Sequence, residues 1–283
     1  MRVAWILVLV LAAGGRLADA QSSTDSAASP SLTLVTLDYP GATATMAVGI
    51  NGLGSIVGYY ADSGGDMHGF LYRDRSFRTL DYPNSQYNAA YGINNSEVIV
   101  GSYITDLQHA YRFKGGKFTM LLGFGYGTLA IGINDGGTIV GAGIDFCCKV
   151  HGFINDAAGV FTIDYPGAAD TFADGINREG VVVGTWMDAE GDSHGYKWEN
   201  GVFDSIAVEG ATSTSAYGVN AHNTIVGSYV DPGGVSHGFR MPAGKKPFSV
   251  DFPGATSTVI FSINDLGEVA GAYIDGQGVQ HGF

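Results

Sequence analysis

The fold is decided by a phrase that residues 38–70 spell in full, DYPGATATMAVGINGLGSIVGYYADSGGDMHGF. An Asp-Tyr-Pro-Gly-Ala element opens the phrase, Gly-Ile-Asn and Ile-Val-Gly follow, and a His-Gly-Phe triplet ends it. The triplet or a close variant returns along the chain, starting at His68, His109, His151, His194, His237 and His281. An interval of about 40–45 residues is the period of stacked or radially arranged β units. The spacing therefore predicts a β-repeat protein.

Other markers recur in step with the triplet. The asparagine of Gly-Ile-Asn is found at Asn51, Asn94, Asn134, Asn177, Asn220 and Asn264. Each copy divides into four short apolar runs, separated by turn signals such as Asn51–Gly54 and the hairpin pair Gly115-Gly116. Outside residues 1–20, no helical periodicity is sustained. Each copy is therefore predicted to form four strands.

Six four-stranded meanders of this length predict an all-β fold, a six-bladed β-propeller of four-stranded blades. Residues 32–283 form its single domain, with six repeats of about 42 residues. The chain starts on a strand that leads into Asp38 and stops at Phe283, early in the last strand. We therefore expect the N-terminal strand to pair with the C-terminal repeat and close the ring, which leaves no bare edge. An open β-solenoid is the rival fold, but solenoids usually need atypical end repeats.

The first residues have the features of an export signal. Arg2 precedes an apolar run, Val3–Ala13, and Ala18-Asp19-Ala20 fits the small-x-small pattern of a cleavage site. Residues 1–20 are therefore predicted to be a signal peptide cleaved near Ala20, and residues 21–31 a flexible lead-in rich in Ser, Ala and Thr. The protein is expected to be secreted, extracellular or periplasmic. No later stretch reaches about 18 uninterrupted apolar residues, so no membrane span is expected.

The charge of the chain restricts its partners. The whole chain has 14 basic and 27 acidic residues, and loss of Arg2, Arg16 and Asp19 with the leader leaves 12 and 26, a formal charge of −14. Nucleic acid needs clustered Lys and Arg, so it is not an expected partner. A glycan or an envelope protein fits an exported binding module better, and a monomer is expected.

Five copies carry an aspartate six residues before the histidine of the triplet. The expected pairs are Asp62–His68, Asp145–His151, Asp188–His194, Asp231–His237 and Asp275–His281. Pairing Asp62 directly opposite His68 would place Tyr60 opposite Phe70, because side chains alternate along strands. The second copy departs, with Thr105 in place of the aspartate and Asp106 beside it.

An imidazole beside a carboxylate can also be an acid–base pair or half of a metal site. Equivalent pairs on separate blades would lie far apart and could not converge on one substrate. We therefore interpret these pairs as structural, and the sequence identifies no catalytic residue, metal ligand or cofactor site. Calcium at the Asp-rich turns, such as Asp62–Asp66, stays open as an alternative, although their spacing is not that of a calcium loop.

Departures from the repeat are better functional candidates. Cys147 and Cys148 interrupt the third copy and are the only cysteines. They form either a strained vicinal disulfide or two unpaired thiols, and the opposite directions of neighbouring side chains on a strand favour the thiols. His222, the one histidine outside the triplets, lies in an expected turn and is a weak catalytic candidate.

The complete phrase resembles that of the bacterial extracellular HAF-repeat proteins, which are named for a His-Ala-Phe-type triplet. The resemblance covers residues 32–283, although the triplet here is mostly His-Gly-Phe. It implies an exported, propeller-like repeat protein, and it implies no activity and no catalytic residues.

Two functions of different class follow. The first is a non-catalytic binding or interaction module for a glycan, a peptide or an envelope protein, which the even repetition favours. The alternative is a propeller hydrolase or lyase acting on a polysaccharide or lactone, with polar groups gathered at the central channel. Carboxylates and histidines converging at the channel would favour the enzyme, whereas small and apolar residues there would favour the binding module.

Overall fold

A computed structural model of the protein describes residues 32–121 and 123–283. The signal peptide expected at residues 1–20 and the lead-in expected at residues 21–31 lie outside the described residues. Within the described ranges the chain forms 23 β-strands and no helix, so the all-β prediction is confirmed. A helix able to cross a bilayer is likewise absent from those ranges.

The first three copies each form a four-stranded meander. The first contains β1 (Ala44–Ile50), β2 (Ile56–Ala61), β3 (Met67–Arg73) and β4 (Ser76–Leu80). The second contains β5 (Tyr87–Ile93), β6 (Ile99–Ile104), β7 (Gln108–Lys114) and β8 (Lys117–Met120). The third contains β9 (Gly127–Ile133), β10 (Ile139–Ile144), β11 (Val150–Asp156) and β12 (Gly159–Ile163).

The fourth and fifth copies repeat this pattern, and the sixth has three strands. The fourth contains β13 (Asp170–Ile176), β14 (Val182–Met187), β15 (Ser193–Glu199) and β16 (Val202–Ile206). The fifth contains β17 (Ser213–Val219), β18 (Ile225–Val230), β19 (Ser236–Met241) and β20 (Phe248–Ser249). The sixth contains β21 (Ser257–Ile263), β22 (Val269–Ile274) and β23 (Gln280–Gly282). Sequential strands of a copy are antiparallel neighbours, and single parallel bridges join the first three copies into one sheet.

The N-terminal segment lies beside the sixth copy, which has no fourth strand of its own. The backbone N–H of Leu37 donates to the carbonyl oxygen of Gly282 at 2.8 Å, in an isolated antiparallel bridge. The hydroxyl groups of Thr36 and Tyr273 are also hydrogen bonded, at 2.8 Å. Residues from the two ends of the described chain are thus neighbours.

The recurring asparagines link each copy to the next. In the first copy, the side-chain amide of Asn51 donates to the carbonyl oxygen of Asn94 at 3.1 Å, and Oδ1 of Asn51 accepts from the N–H of Ser55 at 2.9 Å. The same inter-copy bond recurs around the molecule, and the series returns to its start when Asn264 donates to Asn51 at 3.0 Å. We call these six residues the asparagine ring. These bonds hold the first strand of each copy beside the first strand of the copy to which it is bonded.

The aromatic residue of each triplet packs on the glycine of Ile-Val-Gly. Phe70 lies opposite Gly58 in the sheet, and a methyl group on Gly58 would come within 2.9 Å of the Phe70 ring. Phe70 is completely buried. Burial of a side chain of this size contributes about 1.5–3 kcal/mol. The triplet is therefore a core motif.

The expected pairing of Tyr60 with Phe70 is wrong. Tyr60 lies opposite His68, and the strands separate after Ala61 and Met67. The physical reason is the turn, where Oδ1 of Asp62 accepts from the N–H groups of Gly64 and Asp66 at 2.8 and 3.0 Å. An aspartate bonded in this way belongs to the turn and not to the ladder.

Candidate functional site

The first strand of every copy contains a β-bulge. In β13, Ala173 pairs with Gly184 and Gly175 pairs with Val183, so Asp174 is the extra residue between them. The same shift occurs in the other five first strands. A bulge redirects the side chain of its extra residue. Here the extra residues all line one cavity.

We call these six positions the bulge residues. They are Val48, Tyr91, Ile131, Asp174, Tyr217 and Phe261. Five are apolar or aromatic, and one is a carboxylic acid.

The central cavity lies between the first strands of all six copies. Its volume is about 360 Å³, and it is partly open to solvent. Apolar side chains such as Leu129 and Phe172 cover most of its wall, and Ser193 and Ser215 add hydroxyl groups. Sites for small molecules have this character, a mainly apolar pocket with a few placed polar groups.

Asp174 is the chemically distinctive group of this cavity. Its Oδ2 accepts a hydrogen bond from the Thr185 hydroxyl at 3.1 Å. The side chain keeps part of its surface open to the cavity, yet it lies deep inside the ring of strands. Burial raises the pKa of Asp174 to about 7, against the opposing effect of Thr185. The carboxyl group can therefore change charge near neutral pH.

The tyrosines around the cavity stay neutral at this pH. Burial raises the pKa of Tyr217, and the charge of Asp174 raises it further. Burial also raises the pKa of Tyr91, to about 12. The ring centroids of Tyr217 and Phe261 are 5.6 Å apart, so the wall beside Asp174 is aromatic.

Sequence analysis missed Asp174. The signal was present in the alignment of the copies, because the residue three positions before each ring asparagine is an acid only in the fourth copy. The sequence did not reveal the bulge. In a regular strand side chains alternate between the two faces, whereas the bulge directs the side chain at this position into the central cavity.

The sequence-predicted Asp–His pairs are brought together. The imidazole Nε2 approaches the aspartate Oδ2 at distances from 2.8 to 3.6 Å in the pairs Asp62–His68, Asp145–His151, Asp188–His194, Asp231–His237 and Asp275–His281. In the second copy, His109 instead contacts Asp106 at 3.1 Å.

Four of the histidines in the triplets also contact a second aspartate, and sequence analysis missed this contact. Nδ1 lies 2.8–3.0 Å from the aspartate of the Asp-Tyr-Pro or Asp-Phe-Pro element in the pairs His68–Asp81, His151–Asp164, His237–Asp251 and His281–Asp38. His109 and His194 do not show this contact in the described residues, and the sequence has Leu122 and Ala207, not aspartate, 13 positions after them. For the first three of these pairs the sequence signal was an aspartate 13 or 14 residues after the histidine, whereas Asp38 lies 243 positions before His281.

These carboxylates shift the pKa values of the groups that they contact. The pKa of His68, His151 and His281 is raised, because two carboxylates outweigh the lowering effect of burial. None of the described residues that line the central cavity is a histidine. The Asp–His pairs therefore lie apart from the cavity, one set in each copy.

The remaining candidates also lie away from the cavity lining. Cys147 and Cys148 are both exposed and are not joined by a disulfide. Cys148 has a positive φ of 68°. His222 is exposed in the turn of the fifth copy, where its N–H donates to Asn220 Oδ1 at 3.0 Å.

The carboxylates of the Asp-rich turns are engaged by protein donors. Oδ1 of Asp188 accepts from the N–H groups of Glu190 and Asp192 at 3.1 and 2.9 Å, and its Oδ2 contacts His194. Across residues 32–121 and 123–283, no group of three His, Cys, Asp or Glu side chains is placed to hold a metal ion.

Comparisons of sequence identify no relative of the chain. No family model matches it, and no curated protein matches it.

Solved structures show its fold. AofleA from Arthrobotrys oligospora is 12% identical with a TM-score of 0.56, covering 86% of this chain and 83% of its own. A fungal lectin from Aleuria aurantia, described as a six-bladed β-propeller with a fucose recognition mode, is 10% identical with a TM-score of 0.51, covering 88% and 93%. XC5397 from Xanthomonas campestris, described as a gluconolactonase, is 11% identical with a TM-score of 0.50, covering 85% and 86%. At these identities the likeness shows the fold alone, and the fold of this chain is that of the β-propellers.

Proposed function

We propose that this protein is a non-catalytic binding module whose ligand enters the central cavity. The observation that carries the proposal is the set of bulge residues, because all six copies direct one side chain into the same apolar pocket. A repeat protein in which every copy contributes to one cavity can surround a single small ligand. A glycan or a peptide, the partners expected from the sequence, would insert one end of its chain into this cavity.

The proposed architecture is a six-bladed ring closed by the N-terminal segment. The circular hydrogen bonding of the asparagine ring supports six blades, and the bond between Leu37 and Gly282 supports closure by the last copy. We further propose that the protein is exported after cleavage near Ala20, as in the HAF-repeat proteins that it resembles, and acts as a monomer.

The cavity chemistry supports binding over the alternative of a hydrolase or lyase. Asp174 supplies a carboxyl group with Thr185 beside it, and the histidines of the Asp–His pairs are not among the lining residues. The second carboxylate of the lining, Asp170, is engaged by the backbone N–H of Val150 at 2.8 Å. A general acid and base pair needs two titrating groups within reach of one substrate. The apolar wall is what a binding site needs.

A ligand screen on residues 21–283 tests this function. Glycans, peptides and small metabolites would be screened by thermal shift, with and without calcium, and hits measured by calorimetry. The variant Ser215→Phe places a ring in the cavity, and Ser205→Phe, on an exposed position of β16, is its matched control.

We expect hits that stabilise the native protein and the Ser205→Phe variant but not the Ser215→Phe variant. Circular dichroism would establish that both variants fold, and Ile131→Trp offers a second cavity-filling change. Ligands that bind both cavity-filled variants unchanged would contradict a central site. Turnover of a polysaccharide or lactone that Asp174→Asn abolishes would contradict a non-catalytic role.

A further inference from the structure

The charge of Asp174 has no counter-charge in the cavity. Within the described part of the chain, the lining residues include no Lys, Arg or His. Thr185 supplies a neutral hydroxyl donor at 3.1 Å. A carboxylate withdrawn from water is costly unless it is paired. A bound ligand is thus in a position to supply the missing charge.

The walls beside Asp174 suit the same ligand. Tyr217 follows it in the circle of bulge residues, and Phe261 follows Tyr217 with ring centroids 5.6 Å apart. A cation is attracted to the face of an aromatic ring. The rest of the wall is apolar and includes Leu129 and Ile131, so it can cover the hydrocarbon part of a ligand.

We propose that the central cavity binds a small organic cation, with a primary ammonium group on Asp174 and its aromatic or aliphatic body against the apolar wall. An ammonium group has three donors and no acceptor, which matches an acceptor-only carboxylate. Hydrogen bonds between such charged partners are about twice as strong as neutral ones. The inference rests on the proposed binding function and narrows it to the charge of the ligand.

The affinity for such a cation should depend on pH. Asp174 has a pKa of about 7, so it is mainly neutral at pH 6 and mainly charged at pH 8. The affinity is therefore expected to rise about tenfold between these values.

Other titratable groups near the site need controls. Besides Asp174, the cavity lining contains Tyr59, Tyr91, Tyr217 and Asp170. The strand β11, which packs against β13, adds His151 and Asp156, and the Tyr196 hydroxyl donates to the carbonyl oxygen of Phe172 on β13. Burial raises the pKa of each of these four tyrosines. The Asp170 carboxylate accepts from the N–H of Val150 at 2.8 Å. The pKa of His151 is raised above its usual value, because two carboxylates outweigh burial. The variant His151→Gln is therefore the control, and it is expected to keep the pH dependence that Asp174→Asn abolishes.

Isothermal calorimetry with three matched probes tests the inference. They are 2-phenylethylammonium, the neutral 2-phenylethanol and the anionic phenylacetate, each titrated into residues 21–283 at pH 8. Asp174→Asn keeps the shape of the site and removes its charge. Asp66→Asn removes a charge from an exposed turn and serves as the control.

We expect the cation to bind the native protein and Asp66→Asn equally, and Asp174→Asn about tenfold or more weakly. Binding of 2-phenylethanol should be the same in both Asp174 forms. The inference is overturned if the alcohol or the anion binds as tightly as the cation, or if Asp174→Asn leaves the affinity for the cation unchanged.

The two proposals fail differently. If neutral ligands from the screen occupy the cavity and are blocked by Ser215→Phe, while the cation does not bind up to millimolar concentration, the binding function stands and the cation inference fails. If ligands bind with no sensitivity to either cavity-filling variant, the binding function itself fails.

Discussion

The side-chain amide of Asn264 donates to the backbone carbonyl oxygen of Asn51 at 3.0 Å, across 213 positions of the chain. Local order around each asparagine is provided by its Oδ1, which accepts from backbone N–H groups of its own turn. One side chain thus shapes a turn with one atom and joins two copies with another. Because the asparagine recurs in every copy, the residue that stabilises each turn also forms the contact between copies.

Removal of a ring asparagine should destabilise the protein strongly. In Asn134→Ala, the N–H of Thr138 and the carbonyl oxygen of Asn177 lose partners that lie at 3.0 Å. The carbonyl oxygen of Asn177 keeps the N–H of Gly180 at 3.2 Å, so the partly buried N–H of Thr138 is the group left unsatisfied. The loss of both bonds is expected to lower the free energy of unfolding by about 1–3 kcal/mol. Urea denaturation followed by fluorescence would measure the loss. His222→Ala, on an exposed turn, should change it by less than about 0.5 kcal/mol. Equal effects of the two changes would refute a structural role for the ring.

The glycine of Ile-Val-Gly should not tolerate a methyl group. In Gly141→Ala, the new Cβ would overlap the carbonyl oxygen of Leu129 and lie 2.9 Å from the ring of Phe153. Both neighbours are held in the sheet, so a loss of about 3 kcal/mol or more is expected. Gly276→Ala is the matched control, because nothing lies within 4 Å of its added Cβ. Thermal unfolding would give the Tm of both variants. A Gly141→Ala protein as stable as Gly276→Ala would contradict the prediction, because it would show that the strands shift to accommodate the methyl group.

The contact of His281 with Asp38 should give the stability a pH dependence. His281 lies 2.8 Å from Asp38 and 3.5 Å from Asp275, and its pKa is raised above 6.5 because these carboxylates outweigh burial. A raised histidine pKa stabilises the fold below the unfolded value, and this contribution disappears as the pH rises through the folded value. Asp38→Asn is therefore expected to lower the Tm by about 1–3 °C at pH 5.5, since the pair is partly exposed and screened, and by less at pH 8.5. An equal loss at both pH values in differential scanning calorimetry would argue against the ion pair.

The buried acid in the cavity should also make the native protein less stable as the pH rises, and here it is the loss of the group that stabilises the fold. The pKa of Asp174 rises from 3.8 to about 7 on folding, so the native state holds a proton that the unfolded state releases between these values. The resulting cost is absent below pH 4, grows with pH, and is constant above pH 7. Asp174→Asn removes it. We expect this variant to be more stable than the native protein at pH 8, by on the order of 2–4 kcal/mol, and equally stable at pH 4. Urea midpoints at the two pH values check this, and a variant that is less stable at pH 8 would contradict the pKa.

Periodicity in the sequence was enough to predict the all-β fold class. It worked because apolar runs, turn residues and the His-Gly-Phe triplet recur with the same spacing, and each is caused by contacts within one copy, such as Phe70 on Gly58. The strand register failed by contrast, because Asp62 uses its carboxylate in the turn and so shifts the partner of Tyr60 to His68. Spacing alone does not distinguish a turn aspartate from a strand aspartate.

The amino-acid sequence by itself determined the β repeats, since hydrophobic alternation and turn chemistry are local properties of the chain. Only the tertiary structure decided where chemistry could occur. A single bulge per copy turns Asp174, from the fourth copy, and Tyr217, from the fifth, toward one cavity. Their meeting depends on the packing of strands from separate copies and on the burial that raises the pKa of the acid. Neither of these is a property of any one stretch of sequence.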